Sequence, residues 1–157
     1  MEPQKYILKV ETGHKSGAGT NADVYIRLNG SSYDDEFNLD CPGTNLFEEG
    51  ATNSFLFEAK TNLGNIDSLF IEIGKSDNDS PPWLLYRIEV STYIGTDLKK
   101  WTFFINDWFS PILQIEDPNY HEGAMDHALI YSSGIYTGLS INQPIARDFA
   151  KRPIKCF

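Results

Sequence analysis

Short runs in which apolar and polar residues alternate recur along the first two thirds of the chain. A period of two places successive side chains on opposite faces of a β-strand, so that the apolar set can face a core. The runs lie at residues 6–10, 24–28, 55–59, 69–73, 84–90 and 101–105. The segments between them are rich in Gly, Asn, Asp, Ser and Pro, which favour turns. The pattern predicts an all-β fold of six or more short strands, arranged as an antiparallel β-sandwich or barrel.

The last third of the chain has a different pattern. Residues 4–110 are predicted to form the sandwich core. Residues 111–138 mix apolar, acidic and small residues without a clear period, which predicts an irregular extension of loop and short strand. Whether this extension packs on the sandwich is left open. Residues 139–157 are polar and basic and contain two prolines, which predicts an extended basic arm.

Composition is that of one folded domain and argues against one class of partner. Of the 157 residues, 41% are hydrophobic and 13% are aromatic, which is enough for a sizeable core. The formal net charge of −9 disfavours binding to nucleic acid, because its phosphates are held by clustered Lys and Arg. No nucleic-acid partner is therefore expected. The last eleven positions differ from the rest, with four basic residues and one acidic residue.

The two cysteines, Cys41 and Cys156, are far apart and form no C-x-x-C pair, so neither a zinc nor an iron site is predicted. Two free thiols in a reducing compartment are the simpler interpretation, and one long-range disulfide is the alternative. The amino terminus has no apolar signal-peptide core. No apolar run reaches the roughly 18 residues of a membrane span.

Residues typical of catalysis are sparse. His14, His121 and His127 have no metal-binding spacing such as His-Glu-x-x-His. Ser132-Ser133-Gly134 differs from the Gly-x-Ser-x-Gly elbow of hydrolases. The sequence therefore predicts a protein that is not an enzyme.

Turns and strand starts carry short motifs in a fixed order between residues 12 and 108. The motifs are Thr12-Gly13, Ala18-Gly19-Thr20, Ala22-Asp23-Val24, Leu63-Gly64-Asn65-Ile66, Trp83, Trp101-Thr102-Phe103 and Asp107-Trp108. Together they resemble the PLAT domain family, which is named for polycystin, lipoxygenase and alpha-toxin. Within that family, Phe103-Phe104-Ile105-Asn106-Asp107-Trp108 is similar to the closing strand of the polycystin-1-like branch.

The resemblance implies a C2-like sandwich of two four-stranded sheets on the cytosolic face of a larger integral membrane protein, with residues 139–157 leading to a transmembrane segment. It implies a non-catalytic signalling module that binds anionic phospholipid such as phosphatidylserine, with calcium as its cofactor, and regulatory or trafficking proteins as further partners. The basic arm agrees with a cytosolic position, since Lys and Arg flank membrane spans on that side. Two alternatives stay open: a membrane-targeting appendage of a lipoxygenase-type or lipase-type enzyme, and a domain that binds proteins only.

Three polar turns are expected to meet at one end of the sandwich and to supply oxygen ligands for calcium. The residues of the candidate site are Gly19, Asn21, Asp23, Asp40, Asn45, Glu48, Asp77 and Asp79. Calcium takes roughly six to eight oxygen ligands in a flexible arrangement, which suits carboxylates, amides and carbonyls drawn from several loops. The alternative is that these residue types occupy turns because turns favour them.

Three residues in or beside the same turns are candidates for lipid binding. Lys15 and Lys75 could hold a lipid phosphate, and the indole of Trp83 could enter the headgroup layer, where tryptophan is favoured. The alternatives are solvated lysines and a core position for Trp83, which begins an alternating run.

Overall fold

A computed structural model describes residues 2–39, 41, 44–74, 82–109, 127–131, 134–136 and 154–156. The strands in them are β1 (Gln4–Thr12), β2 (Asp23–Gly30), β3 (Asp34–Asn38), β4 (Thr52–Ala59), β5 (Ile66–Gly74), β6 (Trp83–Ile94), β7 (Asp97–Phe109), β8 (His127–Tyr131), β9 (Gly134–Tyr136) and β10 (Ile154–Cys156). Within these ranges, no helix is long enough and apolar enough to cross a bilayer.

The strands form two sheets in which every neighbouring pair is antiparallel. The first sheet has the order β10-β4-β1-β6-β7, and the second has the order β3-β2-β5-β8-β9. Each sheet consists of four strands of at least five residues and one three-residue edge strand, β10 or β9. The prediction of an all-β antiparallel sandwich is confirmed.

Side chains alternate between inward and outward positions along the strands, and the inward ones form the core. In β1, Tyr6, Leu8 and Val10 are fully buried, while Lys5 and Lys9 are exposed. The inward side chains of both sheets join in one apolar cluster. Burying these side chains stabilises the fold by roughly 1.5–3 kcal/mol for each large apolar residue, before the entropy of ordering the chain is subtracted.

A buried tyrosine adds a polar contact to this core. The hydroxyl oxygen of Tyr6 accepts a hydrogen bond from the backbone N–H of Leu63 at 3.0 Å. Burial raises the pKa of Tyr6 above its ordinary value of 10.0, and the hydrogen bond from Leu63 opposes part of that rise. The phenol is therefore held neutral in the folded chain.

Four of the described strands, β3, β8, β9 and β10, lie outside the alternating runs of the sequence. β3 is an edge strand whose acidic residues give little apolar signal, and its Asp35 accepts hydrogen bonds from the N–H groups of Glu36 and Lys60 at 3.0 Å. β8 pairs with β5 in the second sheet, and its Ala128 and Ile130 are fully buried in the core. The sandwich thus continues beyond residue 110.

The two ends of the sandwich differ in what they carry. We call one end the loop rim: there the turns 13–22 and 39–51 lie, together with the start of β6 at Trp83. We call the other end the hairpin pole: there β6 and β7 are joined by Gly95-Thr96, and β1 begins at Gln4.

Cys41 and Cys156 form a disulfide that encloses a sequence separation of 115 residues. Cys41 follows β3 of the second sheet, and Cys156 lies in β10 of the first sheet, so the bond joins the two sheets at one edge. The interpretation of these residues as free thiols is corrected, and the alternative of one long-range bridge holds. Their separation of 6.1 Å between Cα atoms lies in the range of disulfides generally.

Candidate functional site

The loop rim is built from two turns that are hydrogen-bonded to each other. The N–H of Thr20 donates to the carbonyl of Phe47 at 3.0 Å, and the N–H of Gly50 donates to the carbonyl of Gly13 at 3.0 Å. The N–H of Gly17 also donates to Glu49 Oε1 at 3.0 Å. The sequence prediction that the first two polar turns meet is confirmed by these bonds.

The third turn leads from β5 to β6. Asp23 at the start of β2 pairs with Gly74 at the end of β5, and Leu84 at the start of β6 donates its N–H to Ala18 at 2.9 Å. Both ends of this turn are therefore anchored at the loop rim. Residues 75–81, with the candidates Lys75, Asp77 and Asp79, lie outside the described residues, as does Asp40.

A cavity of about 160 Å³ lies between the first two turns. Four of the calcium candidates line it: Asn21, Asp23, Asn45 and Glu48. The first two and the last two are separated by more than twenty residues in the sequence, and the turn-to-turn hydrogen bonds bring the two pairs together. Residues with oxygen-bearing side chains thus line one small cavity from both turns.

Phe47 fixes the shape of the second turn. Its φ of 58° is in the left-handed region, which a bulky residue rarely adopts without support from its surroundings. The support is visible: its ring is buried 5.0 Å from the Trp83 ring, and its N–H donates to Asn53 Oδ1 at 2.8 Å. Asn45 and Glu48 lie two residues before and one residue after Phe47, so this anchor positions the backbone that carries them.

Gly19 lies where the two turns approach each other, and its role as a calcium ligand stays a prediction. A Cβ atom at this position would lie 3.0 Å from the Phe47 carbonyl oxygen and 3.0 Å from the Glu49 nitrogen. Glycine therefore permits the two turns to approach each other closely. The structure shows Gly19 as a packing residue of the site, which does not require its carbonyl to be a ligand.

The oxygen-bearing residues described here match part of a calcium site. Asp23 and Glu48 offer carboxylates, and Asn21 and Asn45 offer amide oxygens, which are the hard ligands that calcium prefers. No group of three or more His, Cys, Asp or Glu side chains suited to a metal occurs in the part of the chain that the structure describes. Asn21 and Asp23 also take part in other interactions within the protein. A complete shell would need further oxygens, and the chain carries additional acidic residues, Asp40, Asp77 and Asp79, in or beside the same turns.

The two lipid-binding candidates that the structure describes, Lys15 and Trp83, differ in their exposure. Lys15 is exposed in the first turn. Trp83 is 0% exposed, and its Nε1–H donates to Thr12 Oγ1 at 2.9 Å. Its ring packs between Phe47 and Phe109, so it has no surface that could enter a headgroup layer. This corrects the lipid role predicted for Trp83 and supports the alternative of a core position.

The disulfide is the feature of the site that sequence reasoning did not assign. Cys41 lies in the same turn as Asn45 and Glu48, and its bond to Cys156 ties that turn to β10. The only signal in the sequence was the presence of two cysteines, which does not distinguish a bond from two thiols. The turn that lines the cavity is thus held at both ends, by Cys41 and by β4.

Comparison with known proteins agrees with this geometry. Residues 6–115 match the PLAT/LH2 domain family. The chain is 29% identical over 138 residues to the polycystin family receptor for egg jelly of Homo sapiens, covering 87% of this chain and 6% of that protein. It is 35% identical over 106 residues to polycystin-1-like protein 3 of Mus musculus, covering 67% of this chain and 5% of that protein. The chain therefore spans about a twentieth of the length of these relatives.

Solved structures share the fold at lower identity. Coral 8R-lipoxygenase, which is described as showing calcium activation via a C2-like domain, superposes with a TM-score of 0.59 at 21% identity and covers 81% of this chain and 16% of its own. A calcium-dependent 11R-lipoxygenase superposes with a TM-score of 0.56 at 24% identity and covers 82% of this chain and 17% of its own. The family match over residues 6–115 and the shared sandwich lead to one conclusion: this chain belongs to the PLAT/LH2 domain family.

Proposed function

We propose that this chain is a non-catalytic docking module that binds anionic phospholipid and uses calcium at the loop rim. The observation that carries the proposal is the cavity of about 160 Å³ between the first two turns, which Asn21, Asp23, Asn45 and Glu48 line. A cation held there would offset the negative charge of the rim and bridge it to lipid phosphate. This route suits a chain with a formal net charge of −9, which lacks an overall positive field.

The comparisons support this proposal indirectly. Two lipoxygenases with the same fold are described as calcium-activated or calcium-dependent, and the description of coral 8R-lipoxygenase assigns its activation to a C2-like domain. The curated relatives include polycystin-family proteins. We therefore propose that the host is a polycystin-1-like membrane protein, in which the module also contacts regulatory or trafficking proteins.

The side of the membrane needs a test of its own. The resemblance to polycystin-1-like proteins supports a position on the cytosolic face. The Cys41–Cys156 disulfide favours an oxidising compartment, because cytosolic thiols are kept reduced. Labelling of free thiols in the host protein, in intact cells and without reductant, distinguishes the two: two reactive cysteines support the cytosolic face, and two protected cysteines contradict it.

Calorimetry and thermal unfolding test the calcium part of the proposal. Calcium that binds the folded chain alone should raise the unfolding temperature, by an amount that grows with its concentration over its dissociation constant. Replacing Asp23 by Asn or Glu48 by Gln should reduce this rise. Asp67→Asn is the matched control, because Asp67 is an exposed carboxylate at the opposite end of the sandwich. No heat and no shift in the unmodified protein would exclude calcium.

Co-sedimentation with vesicles tests the lipid part. Vesicles of phosphatidylcholine, with and without phosphatidylserine, are mixed with the protein in calcium or in chelator. Binding that requires phosphatidylserine and increases with calcium supports the proposal. Absence of binding in all four conditions would refute lipid docking and favour the alternative of a module that binds proteins only.

A further inference from the structure

The Cys41–Cys156 disulfide is connected directly to one side of the cavity at the loop rim. Cys41 lies in the second turn, 39–51, and the described residues of that turn that line the cavity are Leu39, Thr44, Asn45, Leu46, Phe47 and Glu48. We call these residues the cavity wall. The N–H of Thr44 donates to the carbonyl of Cys41 at 3.0 Å, so one hydrogen bond connects Cys41 to the residue before Asn45. The point at which Cys41 is held therefore helps to set the position of the wall.

Described contacts hold the cavity wall at its start, near its end and in between. At the start, the N–H of Leu39 donates to a carbonyl of β2 at 2.8 Å. Near the end, the buried ring of Phe47 lies 5.0 Å from the Trp83 ring. Between these two points the disulfide joins Cys41, which is 6% exposed, to β10 of the other sheet. Reduction would therefore leave Asn45 in one long segment between Leu39 and Phe47.

β10 is a short strand for which the disulfide is a major attachment. Among the described strands it lies at the edge of its sheet and pairs with β4, over Ile154–Cys156. Ile154 and Cys156 are partly buried against the core. Edge segments with few ladder hydrogen bonds open locally at a low free energy. We expect that without the bond neither β10 nor Cys41 fixes the position of the other.

We propose that the Cys41–Cys156 bond is a redox switch that sets the calcium affinity of the loop rim. In the oxidised chain the cavity wall is already positioned, and calcium binds with little further ordering of the chain. In the reduced chain the segment around Asn45 has lost one anchor, and calcium must order it on binding. This inference rests on the calcium binding proposed above and names the regulation of the same site.

The switching step is a thiol–disulfide exchange, with a dithiol or a glutathione-type thiol as the reductant. The thiolate of the reductant attacks Cys156 Sγ, since Cys156 is half-buried and Cys41 is buried, and Cys41 leaves as a thiolate. A second thiolate of the reductant then attacks the mixed disulfide and releases Cys156. The protein gains two electrons and two protons, and the reductant becomes a disulfide. A disulfide of the same class reverses the step.

Thermodynamic linkage makes the effect reciprocal. The factor by which reduction lowers the calcium affinity is also the factor by which bound calcium protects the bond against reduction. We expect a factor of about ten, which corresponds to ordering the backbone of about one residue on binding. The same factor shifts the reduction potential of the cysteine pair by about 30 mV toward more negative values.

Calcium titration by calorimetry tests the proposal on the whole chain in both redox states. The protein reduced with dithiothreitol should bind calcium about tenfold more weakly than the oxidised protein. The double variant Cys41→Ala with Cys156→Ala should match the reduced protein and ignore the reductant. Tyr6→Phe is the control, because it removes a buried hydrogen bond to Leu63, away from the loop rim, and keeps the disulfide. It should keep the calcium affinity of the unmodified oxidised protein.

Two further measurements report the coupling and the cavity wall separately. In glutathione buffers, trapping of thiols by alkylation gives the fraction of oxidised protein, and calcium should shift its midpoint by about 30 mV. Hydrogen exchange without calcium shows whether the wall has loosened. On reduction the amide of Thr44, which bonds to Cys41, should lose protection, whereas the amide of Thr20, which bonds to Phe47, should keep it.

Each outcome decides between the proposals. Weaker calcium binding after reduction, with an unaffected Tyr6→Phe variant, supports the switch. Equal calcium affinity of folded oxidised and folded reduced protein overturns the switch and leaves calcium binding intact. No calcium binding by the oxidised protein overturns both proposals. A reduced protein that circular dichroism shows to be unfolded, or an equal loss of affinity in Tyr6→Phe, overturns the switch in favour of a general loss of stability.

Discussion

Breaking the Cys41–Cys156 bond should lower the free energy of unfolding by several kcal/mol. The bond closes a loop with a sequence separation of 115 residues, so it strongly restricts the unfolded chain. In the chain-entropy model a loop of this length corresponds to about 5 kcal/mol, and native disulfides of small domains contribute about 2–5 kcal/mol when measured. For a chain of this size, that loss predicts a fall in unfolding temperature of about 10 °C or more.

The measurement is thermal unfolding followed by circular dichroism, with and without reductant. The double variant Cys41→Ala with Cys156→Ala is the control, and reductant should leave its unfolding temperature unchanged. Hydrogen exchange adds a local readout: the amides of β10, which has only three paired residues, should lose protection first once the bond is gone. An unfolding temperature of the unmodified protein that does not respond to reductant, or two free thiols found by mass spectrometry, would refute the reasoning.

Three further perturbations follow from single contacts. Because burial raises the pKa of Tyr6, its neutral phenol stabilises the fold below pH 10.0, and this contribution is lost as the pH rises further. The unfolding temperature of Tyr6→Phe should therefore fall less steeply at alkaline pH than that of the unmodified protein. Gly30→Ala should lower stability by about 3 kcal/mol or more in denaturant titrations, since its Cβ would lie 2.1 Å from the Leu63 carbonyl oxygen, and a soluble variant of unchanged stability would contradict that crowding. Thr12→Val leaves the buried Trp83 Nε1–H without its acceptor and should cost about 1–3 kcal/mol by the same titration; a loss below a few tenths would show that the hydrogen bond contributes little.

Much of the fold could be predicted because its strands are half-buried. The alternating run at residues 6–10 coincides with the buried face of β1, and Ile88 and Val90 lie on the buried face of β6. The run at 84–90 fails at Tyr86, which is exposed at the point where the register of β6 with β7 shifts. β3 gave no such signal: its Asp-Asp-Glu-Phe-Asn sequence is poor in the residues that strands favour, and its one large apolar side chain is Phe37. β8 is short and mostly apolar, and a run of that kind has no period that separates strand from loop.

The candidate site could be predicted in part. Turn composition indicated that Asn21, Asp23, Asn45 and Glu48 would lie at one end, and they line one cavity. What the sequence did not reveal depends on contacts between distant segments. Trp83 begins a strand, and only its three-dimensional neighbours show that it is enclosed. The exposure of Ile94 and Leu98 was missed for the opposite reason, since these apolar residues continue the pattern of a buried strand and yet extend past the core.

The disulfide also limits how far the chain can lengthen under mechanical tension. β1 begins at the hairpin pole, whereas β10 runs antiparallel to β4 toward the loop rim, so pulling on Gln4 and Cys156 loads the intervening ladders in shear. With the bond intact, only the segment from Gln4 to Cys41 can be drawn out, about 130 Å at about 3.4 Å per residue. Once it is reduced, the whole stretch to Cys156 can extend, about 520 Å. Reduction of this one disulfide thus increases about fourfold the length to which the chain between Gln4 and Cys156 can extend.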